Sequence, residues 1–310
     1  MKKTIGLVLA ALMLALALAA CQTAEHGSTT AGASENQTTA AAATTAAETT
    51  ATAANNAAIT VISREDGSGT RGAFTELFGV LDADKIDQTT DRAEITNSTS
   101  VMMTSVAGNP DAIGYISLGS LNNTVKALKI DGAEATVANI NNGSYTISRP
   151  FNLATLADTG ELASDFLAFL MSADGQDIVE KNGYIRVADT GPYDGSKPSG
   201  KIVVGGSSSV SPVMEKLIEG YCALNTSANI ELQTSDSSTG MKNALDGVCD
   251  IGMASRELKD SELDAGLTCL TLAMDGIAVI VNNDSAIDGL SKEHVRQIFT
   301  GEVTGWADIH

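Results

Sequence analysis

The residues of this chain best equipped for chemistry are small hydrogen-bond donors gathered in three loops. Residues 63–71 read SREDGSGTR, with the hydroxyls of Ser68 and Thr70, the planar guanidinium of Arg64, and glycines at 67 and 69 that let the backbone approach a ligand closely. Residues 205–212 read GGSSSVSP and carry Ser208 and Ser209; residues 235–240 read SDSSTG and carry Ser237 and Ser238. Each loop falls where a β-branched run gives way to a helical stretch, so N–H groups and the positive end of a helix dipole point at one spot. Any one of them is equally well a capped turn. Together they can supply the roughly ten donors that a desolvated tetrahedral oxyanion needs from several directions.

Other chemistries find less support. No GxxxxGK[ST] segment is present, which removes the usual nucleotide-binding loop. A serine nucleophile would need a partnered histidine, yet the three histidines are His26 in a polar Ala/Thr-rich stretch, His294 on a polar helix face and His310 at the end of the sequence. Cys222, Cys249 and Cys269 form no CxxC pair, so no metal site and no cofactor are expected. Three buried thiols are the favoured reading of these cysteines, with one disulfide and one spare thiol as the alternative. The chain reads as a binder and not as an enzyme; a phosphoryl-transfer enzyme is the rival, and it lacks a metal-ligand cluster or a nucleophile–base pair.

The elements that must position these loops alternate in type. Strand candidates lie at 59–63, 112–117, 201–205, 230–234, 250–254 and 277–282, with helical stretches between them. Ser211-Pro212 reads as a helix start, with Val213, Met214, Leu217, Ile218 and Tyr221 on one face. Ala73, Phe74, Leu77 and Phe78 share a face in the stretch 70–78. Ser291 caps a helix that carries Val295, Ile298 and Phe299 and stops at Gly301. Two more helical segments, 165–170 and 176–181, end at Asn182-Gly183. This alternation predicts an α/β fold with largely parallel strands. A loop rich in Gly, Pro, Ser and Lys at 189–200 separates two halves.

The first 54 residues belong to a different class. Lys2 and Lys3 precede an apolar run from Ile5 to Leu18, then Ala19, Ala20 and Cys21, which predicts an export signal over 1–20 and lipidation of Cys21. Residues 21–54 are mostly Ala, Thr, Glu, Asn and Ser and read as a disordered tether, because no core can repay their ordering entropy. The formal charge of -19 argues against nucleic acid. It says little about a small anion held at contact distance, since distant surface charge is screened beyond about 8 Å.

Seven segments resemble one family, the phosphate-binding proteins of phosphate ABC transporters: SREDGSGTRGAF (63–74), AIGYISLGSL (112–121), SYTISRPF (144–151), GGSSSVSPVMEKL (205–217), DIGMASREL (250–258), AMDGIAVIVNN (273–283) and IFTGEVTGWADI (298–309). The resemblance spans the chain beyond the tether. It implies the two-lobed periplasmic-binding-protein fold, each lobe a mostly parallel sheet flanked by helices, joined by a two-strand hinge. It further implies an extracytoplasmic lipoprotein on the bacterial cell membrane, likewise monomeric, that hands inorganic phosphate to a membrane permease. In the usual family order the GSSSV-type segment comes first, so this sequence reads as a circular permutation with the former ends joined near 189–200. The expected lobes are 55–144 with 279–310, carrying the SGTR loop, and 145–278, carrying the other two loops; the hinge strands are expected near 125–130 and 278–281. Carried over by position, Arg64, Ser68, Gly69, Thr70, Ser208, Ser209 and Ser237 bind phosphate, with Ser238 the neighbouring choice, and Asp66 orients the Arg64 guanidinium. Some members place an aspartate where this chain has Arg256, and that carboxylate accepts the proton of bound phosphate. The departure keeps a receptor for another oxyanion, such as sulfate or molybdate, as the alternative.

Overall fold

The computed structural model describes residues 57–188 and 190–309, so the leader, Cys21 and the tether lie outside the described residues. In chain order the elements are β1 (Thr60–Arg64), α1 (Gly69–Phe78), β2 (Glu94–Thr96), α2 (Thr99–Ala107), β3 (Ala112–Ser117), β4 (Lys126–Ala127), β5 (Lys129–Ile130), α3 (Val137–Asn141), β6 (Ser148–Thr155), α4 (Glu161–Met171), α5 (Ala173–Lys181), β7 (Gly200–Ser207), α6 (Ser211–Leu224), β8 (Ala228–Ser235), α7 (Ser237–Leu245), β9 (Ile251–Ala254), α8 (Asp260–Asp264), β10 (Thr268–Val281), β11 (Gly289–Leu290) and α9 (Lys292–Thr300).

Local signals explain most boundaries. Ser68 caps α1 by accepting from the Arg71 amide, and Gly79 ends the helix in the left-handed region at φ 71°. Ser291 and Gly301 (φ 80°) do the same for α9. The aliphatic run of β10 is buried from Gly276 to Val281 because it lies inside a sheet covered on both faces. The α4 stripe Leu162, Phe166, Phe169 and Leu170 is buried, each side chain stabilising the fold by about 1.5–3 kcal/mol.

The sheet order is β2-β1-β3-β10-β6-β9-β7-β8, with β4 also on β10. The C-terminal part of β10 pairs with β3, whereas its N-terminal part pairs with β6. One strand therefore serves two cores. The first core holds Ile62, Phe74, Tyr115, Ile116, Tyr145, Ile147, Ile277–Val281 and Phe299. The second holds Phe151, Phe166, Val204, Met214, Leu217, Tyr221, Ile251 and Met253. A smaller cluster of Ala154, Met241, Ala244, Cys249, Ala254, Leu258 and Leu267 lies under α7.

As expected, β1, β2 and β3, and likewise β7, β8 and β9, run parallel, while β10 is antiparallel to β3 and β6, and β6 to β9. The arrangement differs from the expected one in three respects. The strands within 125–130 are not a crossover, because Val125, Leu128 and Ile130 are all buried in the first core. The chain passes between cores at 147–148 and 276–277, joined by Ile277 N–H to the Ile147 carbonyl at 2.9 Å. Tyr145, Ile147, Ile277 and Ala278 thus belong to the first core, not the second. Of the three cysteines among the described residues, all free thiols, only Cys249 is buried; Cys222 is half-buried and Cys269 is exposed.

Candidate functional site

The three small-residue loops meet where the two cores face each other. On the first side, β1 delivers Arg64 and α1 starts at Gly69. Arg64 is 2% exposed, and its strand end is pinned by Tyr115, whose hydroxyl accepts the Arg64 N–H at 3.2 Å and bonds Ser63 Oγ at 2.8 Å. Burial pushes the Tyr115 phenol up to about 12, so it stays a neutral partner. Its ring stacks on Phe74 of α1 at 3.9 Å.

From the second side, β7 brings Ser207, Ser208 and Ser209 to the N-terminus of α6, and β8 leads into α7 at Ser237. Arg64 Nη2 donates to Ser208 Oγ at 3.0 Å, and Thr70 Oγ1 and Ser209 Oγ lie 2.7 Å apart. Thr99 at the start of α2 reaches Ser209 as well, at 3.2 Å. Ser238 N–H donates to the Gly67 carbonyl at 3.1 Å, so the N-termini of α1 and α7 face each other. A Cβ at Gly69 would lie 2.3 Å from Ser237 Oγ and 2.7 Å from Ser255 Oγ, an approach that a side chain forbids. Beside the cluster opens a cavity of about 450 Å³, lined among others by Ser98, Thr99, Ser120, Ser208, Ser211 and Glu215.

Arg64, Ser68, Gly69, Thr70, Ser208, Ser209 and Ser237 are thus gathered at one seam and all are buried. Ser238 is half-buried, its N–H taken by Gly67 and its hydroxyl by Arg256 Nη2 at 3.3 Å, which leaves Ser237 as the serine directed at the cluster. Asp66 does not orient Arg64. Its side chain is 99% exposed and pairs with Arg71 at 3.0 Å, because Gly67 turns the loop at φ 86° immediately after it. The carboxylate that holds Arg64 is Glu65, in a two-pronged pair at 2.8 and 2.9 Å. Arg256 lies at the rim, bonded twice to Glu262 at 2.8 and 2.9 Å. Burial raises the Glu262 carboxyl, but bonds from Arg256 and the Lys259 amide outweigh it and hold the group below its ordinary value.

Sequence reasoning missed Thr99, Glu65 and a buried polar cluster behind Ser237. Ser255 N–H donates to Ser237 Oγ at 3.1 Å, Ser207 Oγ donates to Ser255 Oγ at 2.9 Å, and Arg149 Nη1 donates to the Ser255 carbonyl at 3.1 Å. Arg149 Nη2 pairs with Asp275 at 3.2 Å, both groups buried. Burial pushes the Asp275 carboxyl up to about 6, against the pull of Arg149. Ser255 and Arg149 both stand inside segments quoted above, DIGMASREL and SYTISRPF, so the available signal was a polar residue in an otherwise buried strand.

Two β-sheet cores with a donor-lined seam between them define a binding-protein class. The sequence matches the PBP superfamily domain over residues 23–174 and 191–309. A phosphate-binding protein PstS 2 of Streptococcus agalactiae serotype V is 52% identical over 256 residues, covering 81% of this chain and 87% of that protein. The Streptococcus pneumoniae serotype 4 protein of the same name is 45% identical over 255 residues, with 81% and 87% covered. The crystal structure of a phosphate ABC transporter, phosphate-binding protein from Streptococcus pneumoniae TIGR4 superposes with a TM-score of 0.66 at 44% identity, covering 82% of this chain and 100% of that one. The chain belongs to this family of phosphate-binding proteins within the PBP superfamily, with the mixed α/β, two-lobed fold of that class. It is a family of substrate-binding proteins, not of enzymes.

Proposed function

We propose that the chain captures inorganic phosphate outside the cytoplasm and delivers it to the membrane permease of a phosphate ABC importer. Residues 57–147 with 277–309 form one lobe and 148–276 the other, and closing them about the two crossing peptides encloses the anion. Arg64, Ser68, Gly69 and Thr70 bind it from the first lobe; Ser208, Ser209 and Ser237 bind it from the second, with Ser255 supporting Ser237. The observation that carries this reading is the set of bonds across the seam, Arg64–Ser208 and Thr70–Ser209, centred where the helix N-termini face each other. The protein acts as a monomer, tethered by residues 21–54 to a lipid on Cys21. No helix among the described residues is long and apolar enough to cross a membrane.

The segment order is a circular permutation of the commoner one. In support, residues 57–59 pair with 304–306, through Ile59 N–H to the Thr304 carbonyl at 2.8 Å and Trp306 N–H to the Ala57 carbonyl at 3.2 Å, so the two ends of the described chain are neighbours.

A second reading, a receptor for another tetrahedral oxyanion, is favoured by Arg256 standing where some relatives have an acidic proton acceptor. Arg256 is occupied by Glu262 and Ser238, so serine and threonine hydroxyls, which donate and accept, take the phosphate proton. Competition calorimetry on phosphate-free protein separates the two: phosphate binds at least tenfold more tightly than sulfate if the reading is right, and equal affinities overturn it.

A further inference from the structure

We propose that Arg149 is a positioning residue of the anion site, transmitting the register of the two crossing strands to Ser255 and Ser237 through its ion pair with Asp275. The inference rests on the phosphate-binding reading above. Arg149 and Asp275 are direct cross-strand partners on β6 and β10, two residues from the crossing peptides at Ile147 and Ile277. Asp275 contacts both lobes: Oδ2 takes Arg149 Nη2 at 3.2 Å, and Oδ1 accepts the Gly119 N–H of the first lobe at 3.3 Å. Gly119 is held against the Tyr184 ring of the second lobe, which a Cβ there would meet at 2.2 Å. From Arg149 the bonds run inward, to the Ser255 carbonyl at 3.1 Å and from the Ser255 amide to Ser237 Oγ at 3.1 Å.

A role in stability alone does not account for this pair. Burying two charges costs about as much as their attraction returns, and apolar residues of similar volume often serve a core as well or better. Arg149 Nε, fully buried, has no hydrogen-bond partner, so the guanidinium is not arranged to satisfy itself. The groups it does engage are the hinge-side carboxylate and the site-side carbonyl. Other polar groups facing the pair are Tyr145, Tyr184 and Ser117, with Arg64 as the neighbouring like charge. A pair that fixes Ser255 relative to the crossing sets where Ser237 and Ser255 stand when Gly69 arrives from the opposite lobe.

The test is phosphate calorimetry and thermal melting of purified wild type, Arg149→Lys, Ser237→Ala and the double variant. Lysine keeps the charge but cannot serve Asp275 and the Ser255 carbonyl with a fork. Arg149→Lys weakens phosphate binding at least tenfold while the phosphate-free melting temperature stays within a few degrees, and in the Ser237→Ala background, where the Ser255 amide has lost its acceptor, the same change costs less than threefold. Unchanged affinity, an equal loss in both backgrounds, or a melting temperature that falls in step with affinity overturns the proposal. If Arg149→Lys does not fold, Asp275→Asn takes its place in the cycle and is read by phosphate affinity alone, since it leaves a buried guanidinium unpaired, and failure of both to fold assigns the pair to stability and overturns the proposal too. Wild type that binds no phosphate refutes the functional reading instead.

Discussion

Replacing Arg64 by alanine probes the site at its most charged point. The wild-type guanidinium is buried, spends Nε and one edge of Nη2 on Glu65, and still donates Nη2 to Ser208 across the seam at 3.0 Å. A hydrogen bond from a charged donor contributes about 1.5–3 kcal/mol, and a factor of ten is about 1.4 kcal/mol. Losing one such bond to the anion therefore weakens binding roughly ten- to hundredfold. Alanine also strips Glu65 of its counter-ion and leaves a carboxylate, 20% exposed, facing an incoming anion. The expected loss for Arg64→Ala is thus greater than for Arg64→Ala combined with Glu65→Gln, which removes the orphaned charge as well. Calorimetry with phosphate on exhaustively dialysed protein measures both variants. An Arg64→Ala protein that melts like wild type and binds phosphate with unchanged affinity refutes the assignment of Arg64, and equal losses in the two variants refute the role given to Glu65.

Gly69→Ala places a methyl where Ser237 Oγ stands at 2.3 Å; phosphate binding falls at least tenfold with little change in phosphate-free melting, and small-angle scattering shows no compaction on adding phosphate. The Asp275 carboxyl, pushed up to about 6 by burial from an ordinary 3.8, binds a proton in the folded state before the unfolded chain does. Its contribution to stability is therefore present below pH 4 and lost as pH rises toward 6 and above. Melting temperatures of wild type minus Asp275→Asn, taken from pH 4.5 to 7.5, fall with rising pH; a flat difference contradicts the assignment. Joining residue 309 to residue 57 with a short Gly/Ser linker and opening the chain between Lys197 and Pro198 restores the commoner segment order, and phosphate affinity stays within threefold of the parent.

What the sequence disclosed and what it hid divide along physical lines. Helix ends with side-chain or glycine caps were legible at Ser291 and Gly301, which stand where local chemistry puts them. So was the placing of the three Ser/Gly loops between a strand and a helix. β6 was not legible, because SRPFNLAT carries a proline and four polar residues and alternates poorly, although the structure pairs it along eight residues with β10. The helix α2, TSVMMTSVA, lacks charge at either end and has a broad apolar face, so it gives no clear period. The Asp66 assignment failed for a reason no spacing rule contains: the direction of Glu65 and Asp66 depends on where Gly67 turns the chain, and that turn gives the guanidinium to the nearer residue. Arg149, Ser255 and Asp275 could not be grouped, because 106 and 126 residues separate Arg149 from its partners.

An acidic chain with a net charge of -19 can hold an anion because the charges nearest the site cancel in pairs. Arg64 is answered by Glu65 and Arg149 by Asp275, so both guanidinium groups are neutralised before a ligand arrives. On the proposed reading the anion is then bound by the remaining Arg64 donor together with a field of oriented dipoles: the N-termini of α1, α6 and α7, and hydroxyls that can both donate and accept. Dipoles at contact distance act strongly on a desolvated ion yet fall off quickly, whereas unpaired arginines would attract every anion in solution and still repel one another when empty. The same arrangement accounts for tolerance of Arg256. On the proposed reading, hydroxyls that accept a proton as readily as they donate one let the site hold a protonated oxyanion without an aspartate in the ring, while Arg256 is engaged by Glu262.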